Sequence, residues 1–169
     1  MAPDASLRVV HEQLDGIFAS FRELVLVGDG RRAAAVLAAF RALTSAHAAD
    51  EEAALVPLLD GSARWPAELY LGQHVKLLAG IERLGDGLDE LAPGRSGWRR
   101  GALAVLDRAG PVLHLAEHHH LAEEQDLFVI VAARAPHRLD ELAARWHVER
   151  ARHRGVLDEA AAALERGRP

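Results

Sequence analysis

A chain of 169 residues with a formal charge of −5, both signs interspersed, is long enough for one domain with a real core and carries no basic footprint for nucleic acid. No stretch approaches the about 18 uncharged apolar residues of a membrane span, and residues 1–6 lack the basic start and apolar run of a signal peptide. A single cytoplasmic domain over residues 1–169, without membrane attachment, is therefore expected. Ten histidines and no cysteine restrict any transition-metal site to nitrogen and oxygen donors, which suits iron, manganese or zinc and excludes thiolate and iron–sulfur chemistry.

Helical periodicity runs through nearly the whole chain. Leu7, His11, Leu14, Phe18, Phe21 and Val25 recur at steps of four and three, the seam of a bundle helix that Gly28-Asp-Gly30 ends. A second helix is predicted from about Arg31 to Leu59, with Phe40, Leu43, His47, Glu51, Leu55 and Leu58 on one face. A turn follows from Gly61 to Trp65. From Pro66, Tyr70, His74, Leu77, Ile81, Leu84, Leu88 and Leu91 keep a strict three-four alternation up to Pro93-Gly94. The fourth helix begins near Ser96 and carries Leu113, Glu117, His120, Glu124, Leu127 and Val131 on one face, with a kink or break expected at Gly110-Pro111. A fifth, from about Arg138 to Arg166, offers Leu142, Trp146 and Leu157 for packing. No strand signal competes. The fold expected is all-α: an antiparallel up-down four-helix bundle over about residues 5–133, with an additional C-terminal helix over about 138–166.

His47-Ala-Ala-Asp-Glu51 and His120-Leu-Ala-Glu-Glu124 write the same four-residue step twice, and residues four apart in a helix can aim an imidazole and a carboxylate at one point. Helices one and two supply His11, His47 and Glu51; helices three and four supply His74, His120 and Glu124. Two such halves suggest two metal ions with the glutamates bridging them. A lone His-x-x-x-Glu is usually a solvated pair, but all six residues fall on predicted core faces, where ionised glutamates without partners would cost several kcal/mol each. Asp50 and Glu123, one residue earlier, also stay on the histidine's face and are alternatives to the two glutamates. His114, His118 and His119 project at other angles and are expected at the surface or behind the ligands.

The order of His11, His47-x-x-x-Glu51 ahead of Leu55-Val-Pro-Leu-Leu59, His74, and His120-x-x-x-Glu124 ahead of Leu127-Phe128 resembles the hemerythrin-like, or HHE cation-binding, domain over about Leu7 to Val131. The resemblance implies a non-haem centre of two iron ions bridged by oxo or hydroxo, held by His11, His47, Glu51, His74, His120 and Glu124, with manganese or zinc as other occupants. It implies dioxygen or another small diatomic or peroxide ligand as partner, in carriage, in sensing of oxygen, nitric oxide or iron, or in peroxidase, catalase-like or oxidase turnover. It also favours Glu51 and Glu124 over Asp50 and Glu123.

The chain departs from the family's oxygen carriers one turn before His74, where Tyr70 stands in place of a second histidine. Tyr70 is thus a residue for metal coordination, for a hydrogen bond to a ligand, or for core packing alone. Glu117, one turn before His120, is an extra ligand, an acceptor behind an imidazole, or a charged residue at the edge of the stripe. Gln73 stands where the family often has glutamate, and Val129 where it commonly has proline, so the fourth helix is expected to run on to Ala133. A ferritin-like site fits poorly, because only Glu117 to His120 supplies its Glu-x-x-His step. A redox-silent zinc or nickel binder and a metal-free helical interaction module are the other rival classes.

Overall fold

A computed structural model describes residues 4–59 and 63–166. Among these the chain is all-helical and no strand occurs. The elements are α1 (Asp4–Val27), α2 (Gly30–Ala54), α3 (Ala67–Arg83), α4 (Trp98–Ala122), α5 (Phe128–Arg134), α6 (Pro136–Arg152) and α7 (Arg154–Arg166). Short 3-10 turns cover Val56–Leu58 and Leu88–Glu90. A π-helical turn, Glu123–Leu127, joins α4 to α5, so residues 98–134 form one uninterrupted rod. No helix among the described residues is long and apolar enough to cross a membrane.

The apolar seams expected from periodicity supply the core: Leu7, Leu14, Phe21 and Val25 of α1, Phe40 and Leu43 of α2, Leu77 and Ile81 of α3 are buried together. Helix α1 packs on α2 and α4, and α3 packs on the same two helices. Gly28, at φ 77°, reverses the chain between α1 and α2, and the Asp29 carboxylate caps α2 by accepting from the Arg32 backbone N–H at 3.1 Å. Gly30 begins α2 against the 3-10 turn after α3: its N–H donates to the Leu91 carbonyl at 3.2 Å, and a Cβ there would sit 1.8 Å from the Leu88 oxygen.

Several boundaries differ from the periodicity reading. Helix α2 ends at Ala54, five residues before the expected Leu59, because Pro57 has no N–H and disfavours helix in the residue before it. Of the turn expected over Gly61 to Trp65, residues 60–62 lie outside the described residues. Helix α3 stops at Arg83, not Leu91; Gly85 and Gly87, the latter at φ 82°, break it, while Leu84, Leu88 and Leu91 remain buried and keep the pattern alive without the helix. Pro111, expected to kink or break the fourth helix, leaves α4 continuous. Gly110, Pro111 and Asp107, whose carbonyl loses its donor, are all exposed, so the freed group is open to solvent. The fifth helix is two: His153, at φ −101° and ψ 1°, divides α6 from α7, and both pack against α1 and α2. Leu142 and Trp146 are buried as expected, with Leu157 half-buried.

Candidate metal centre

Four helices and the π turn deliver six buried imidazole and carboxylate side chains, donor types that could hold a metal, to one place: His11 from α1, His47 and Glu51 from α2, His74 from α3, His119 from α4 and Glu123 from the π turn. They fall into two groups, His11 with His47 and His74 with His119, and both groups include Glu51 and Glu123. Within each group one ligand atom per residue lies within 4.8 Å of the others. Two pairs of histidines sharing two carboxylates, all buried, form groups that could hold a metal ion.

The polar atoms at the centre support a cation there. The Nε2 atoms of His11, His47 and His74 and both oxygens of Glu51 and Glu123 are buried without a hydrogen-bond partner. Yet they crowd together: His47 Nε2 lies 3.4 Å from Glu51 Oε1, His11 Nε2 3.4 Å from Glu123 Oε2, and His74 Nε2 3.5 Å from Glu51 Oε2. Each orphaned buried donor or acceptor costs about 1–3 kcal/mol, so a cluster of them is expensive unless an ion satisfies them together. His119 Nε2 approaches Glu123 Oε1 to 2.9 Å.

The outward ring nitrogens are occupied, which fixes the rings. His11 Nδ1 is 2.9 Å from Glu124 Oε1, His74 Nδ1 2.9 Å from Glu52 Oε1, and His119 Nδ1 3.0 Å from Gln73 Oε1. A proton on each Nδ1 donates to these acceptors and leaves Nε2 free for a metal, the usual arrangement behind ligating imidazoles. Gln73, at the position noted for departing from the family's glutamate, thus still serves as an acceptor. Trp146 of α6 covers His47 edge-on, ring centres 6.2 Å apart, and its indole N–H donates to Gln13 Oε1 at 2.8 Å.

The fourth helix uses a register one residue earlier than the sequence expectation. His119 and Glu123, not His120 and Glu124, join the two groups. Counting forward from Ala102 in steps of three and four gives the buried stripe Val105, Ala109, Val112, Ala116, His119 and Glu123. Counting backward from Leu127 gives Glu124, His120, Glu117 and Leu113, the stripe expected. The π turn at Glu123–Leu127 inserts the extra residue that separates the two registers. Alternation alone could not reveal it, though the small residues Ala102, Ala109 and Ala116 carried the correct phase.

His120 is buried beside the centre, its ring stacked on His11 at 4.0 Å and 7°, with Nδ1 3.6 Å from Asp15 Oδ1. Glu124 supports His11 from behind. Glu117 is exposed, in the wall of a groove between α1 and α4, and belongs to neither group. Tyr70, fully buried, donates its hydroxyl proton to Asp126 Oδ2 at 3.1 Å. Asp126 also accepts the backbone N–H groups of Arg64 and Trp65, each at 3.1 Å, so it ties the approach to α3 onto the π turn. Burial and the negative charges of Asp126, Glu123 and Glu51 push the Tyr70 phenol up, against ionisation. Glu52 and Asp126 carried no sequence signal: one is an exposed-looking neighbour of Glu51, the other an acidic residue beside the Leu127-Phe128 pair.

Charge at the centre is strongly redistributed. Burial works against a charged His11, but its contacts with Glu123 and Glu124 outweigh burial and raise its pKa to about 9; for His74 burial is likewise outweighed by Glu123 and Glu51, giving about 10. Burial and the Glu123 charge raise Glu51 to about 8. Burial and the His11 charge lower His47 to about 3 and hold His120 well below its ordinary value. Glu123 is held well below the usual carboxylate range, because His119, His11 and His74 overcome its burial. A metal must therefore displace protons from His11, His74 and Glu51.

Two outcomes follow from these contacts. Tyr70→Phe is expected to lower stability by about 1–3 kcal/mol through the lost hydrogen bond to a charged acceptor, leaving the visible spectrum of the metal-loaded protein unchanged. Loss of a visible band with retained metal would instead place the phenolate on the ion. His11, His74 and Glu51 have folded pKa values above their unfolded ones. Their stabilisation is present at low pH and is lost as pH rises through about 8 to 10. The shifts of His47, His120 and Glu123 act below pH 6.5. Metal-free protein is expected to lose stability between about pH 7 and 9, at about 1.4 kcal/mol per pH unit for each excess proton held, whereas metal-loaded protein is not. Thermal melts of the metal-free protein that stay level or rise over that range would contradict this charge assignment.

Comparison with protein families, curated proteins and solved structures finds no match to this chain.

Proposed function

We propose that the chain is a hemerythrin-like non-haem di-iron protein that binds dioxygen or a related small ligand such as nitric oxide or peroxide. In this reading α1, α2, α3 and the 98–134 rod are the four helices of an antiparallel bundle, and α6 and α7 are its C-terminal addition. The observation that carries the reading is the sharing of Glu51 and Glu123 between the pair His11 and His47 and the pair His74 and His119. The orphaned inward atoms and the ordered outward nitrogens support it. The resemblance of the sequence to the hemerythrin-like domain supports iron over other cations, and a donor set of imidazoles and carboxylates with open positions suits non-haem iron handling oxygen.

Two imidazoles and two carboxylate oxygens give each ion four protein donors, leaving room for a bridging oxygen and a small exogenous ligand. Peroxidase, catalase-like or oxidase turnover is the second reading. Tyr70 favours it: with its proton committed to Asp126, it does not replace the imidazole that the oxygen carriers place on the third helix.

Metal content and an ultraviolet–visible spectrum of protein purified in air, followed by peroxide addition, test both readings. Two irons per chain with near-ultraviolet charge-transfer absorption are expected; peroxide consumption over many turnovers selects the enzymatic reading, and a stable spectral change selects ligand binding. Zinc alone, with no absorption, would overturn the iron assignment. Glu51→Gln and Glu123→Gln are expected to lose most of both ions, while Glu124→Gln and His118→Ala retain them. Equal loss in Glu123→Gln and Glu124→Gln would refute the ligand register on the fourth helix.

A further inference from the structure

Beside the buried centre, α1 and the 98–134 rod leave a groove of about 310 Å³ that opens to solvent. Its walls bring together four carboxylates, Glu12, Asp15, Glu117 and Glu124, against the single cation Arg8, whose Nη1 is 3.7 Å from Glu124 Oε2. His11, a member of the inner centre, forms part of the same wall. A concentration of one charge sign in a concave, partly apolar wall focuses its field and raises local counter-ion concentration.

Acidic residues alone would be a solvated surface. His120 makes this groove different. It is 8% exposed, belongs to neither inner group, and its Nδ1 is buried without a hydrogen-bond partner. That nitrogen faces Asp15 Oδ1 at 3.6 Å, too far for a hydrogen bond, and the parallel stack on His11 holds the ring in place. A ring nitrogen and a carboxylate oxygen held just beyond hydrogen-bond reach, at the inner end of an acidic groove, can both be satisfied by one divalent cation.

We propose that this groove is a capture site for divalent metal ions that supplies the buried centre, with the Asp15 carboxylate and His120 Nδ1 as its ligands. The proposal deepens the two-ion reading and rests on it. Glu12 and Glu117 attract the hydrated ion at the mouth, Asp15 and His120 hold it singly and weakly, and His11 lies next along the wall. Two protein donors against four at each inner position make the groove the weaker site.

The test uses Co²⁺ and the metal-free chain of residues 1–169, with equilibrium titration and stopped-flow absorbance. Wild type is expected to bind two ions tightly and one more weakly. Asp15→Asn is expected to abolish the weak class, keep the tight pair, and slow its filling by about tenfold or more, within the range that electrostatic focusing gives to on-rates. Glu117→Gln, at an exposed position that does not threaten folding, slows filling without abolishing the weak class. Glu149→Gln, an acidic residue of α6 outside the groove, changes neither. An unchanged filling rate and a surviving weak class in Asp15→Asn, with the tight pair present, overturn the groove proposal alone. Absence of the tight pair from wild type overturns the buried centre itself.

Discussion

Two carboxylates with no solvent exposure, Glu51 and Glu123, set the terms for this molecule. Their four oxygens have no hydrogen-bond partner, and three of the imidazoles facing them, His11, His47 and His74, present bare Nε2 atoms. Domain stabilities are of the order of 5–15 kcal/mol, so a core that holds several orphaned polar groups needs something to compensate. Protons on His11, His74 and Glu51 do so partially in the metal-free chain; two cations would do so completely. The rest of the architecture keeps the six side chains aimed at one volume. Leucine and phenylalanine seams lock α1, α2 and α3, while Glu124, Glu52 and Gln73 fix three rings from behind. Trp146 seals the His47 side from α6.

The π turn is where fold and chemistry meet. A regular α-helix continuing from Ala116 through His119 and Glu123 would keep Leu127 on the same face but carry Phe128 and Val131 off it. One extra residue in the turn lets the same rod bury His119 and Glu123 on one side of the insertion and Leu127, Phe128 and Val131 on the other. It also buries Asp126, which captures Tyr70 and the two backbone N–H groups before α3. The turn thereby ties the third helix to the fourth beside the centre. Local departures from α-helix of this type concentrate at functional sites because they redirect side chains without unfolding the element.

Much of this was legible in the residues, and the failures have physical causes. His11, His47, Glu51 and His74 could be read because each interrupts an apolar stripe that a single helix period explains. His120 and Glu124 were the natural choice on the fourth helix because the strong apolar markers, Leu113, Leu127 and Val131, lie on one phase, while the true phase before the turn is marked by alanines in an alanine-rich chain. Helix ends failed where burial outlasts the helix: Leu88, in a 3-10 turn, and Leu91, just after it, hold the core pattern, and α6 and α7 continue one periodicity across the bend at His153. The acceptors Glu52 and Asp126 could not be found from spacing, since each gains its role from a partner far away in the sequence.

The central claim is that two ions lie between the histidine pairs with Glu51 and Glu123 between them. An anomalous-difference map of crystals of the metal-loaded protein tests it most directly. Two peaks about 3.5–4 Å apart, the spacing of two-metal sites, are expected, one beside His11 and His47 and the other beside His74 and His119, each touching both glutamates. A single peak, or density centred on His120 and Glu124, would contradict the account.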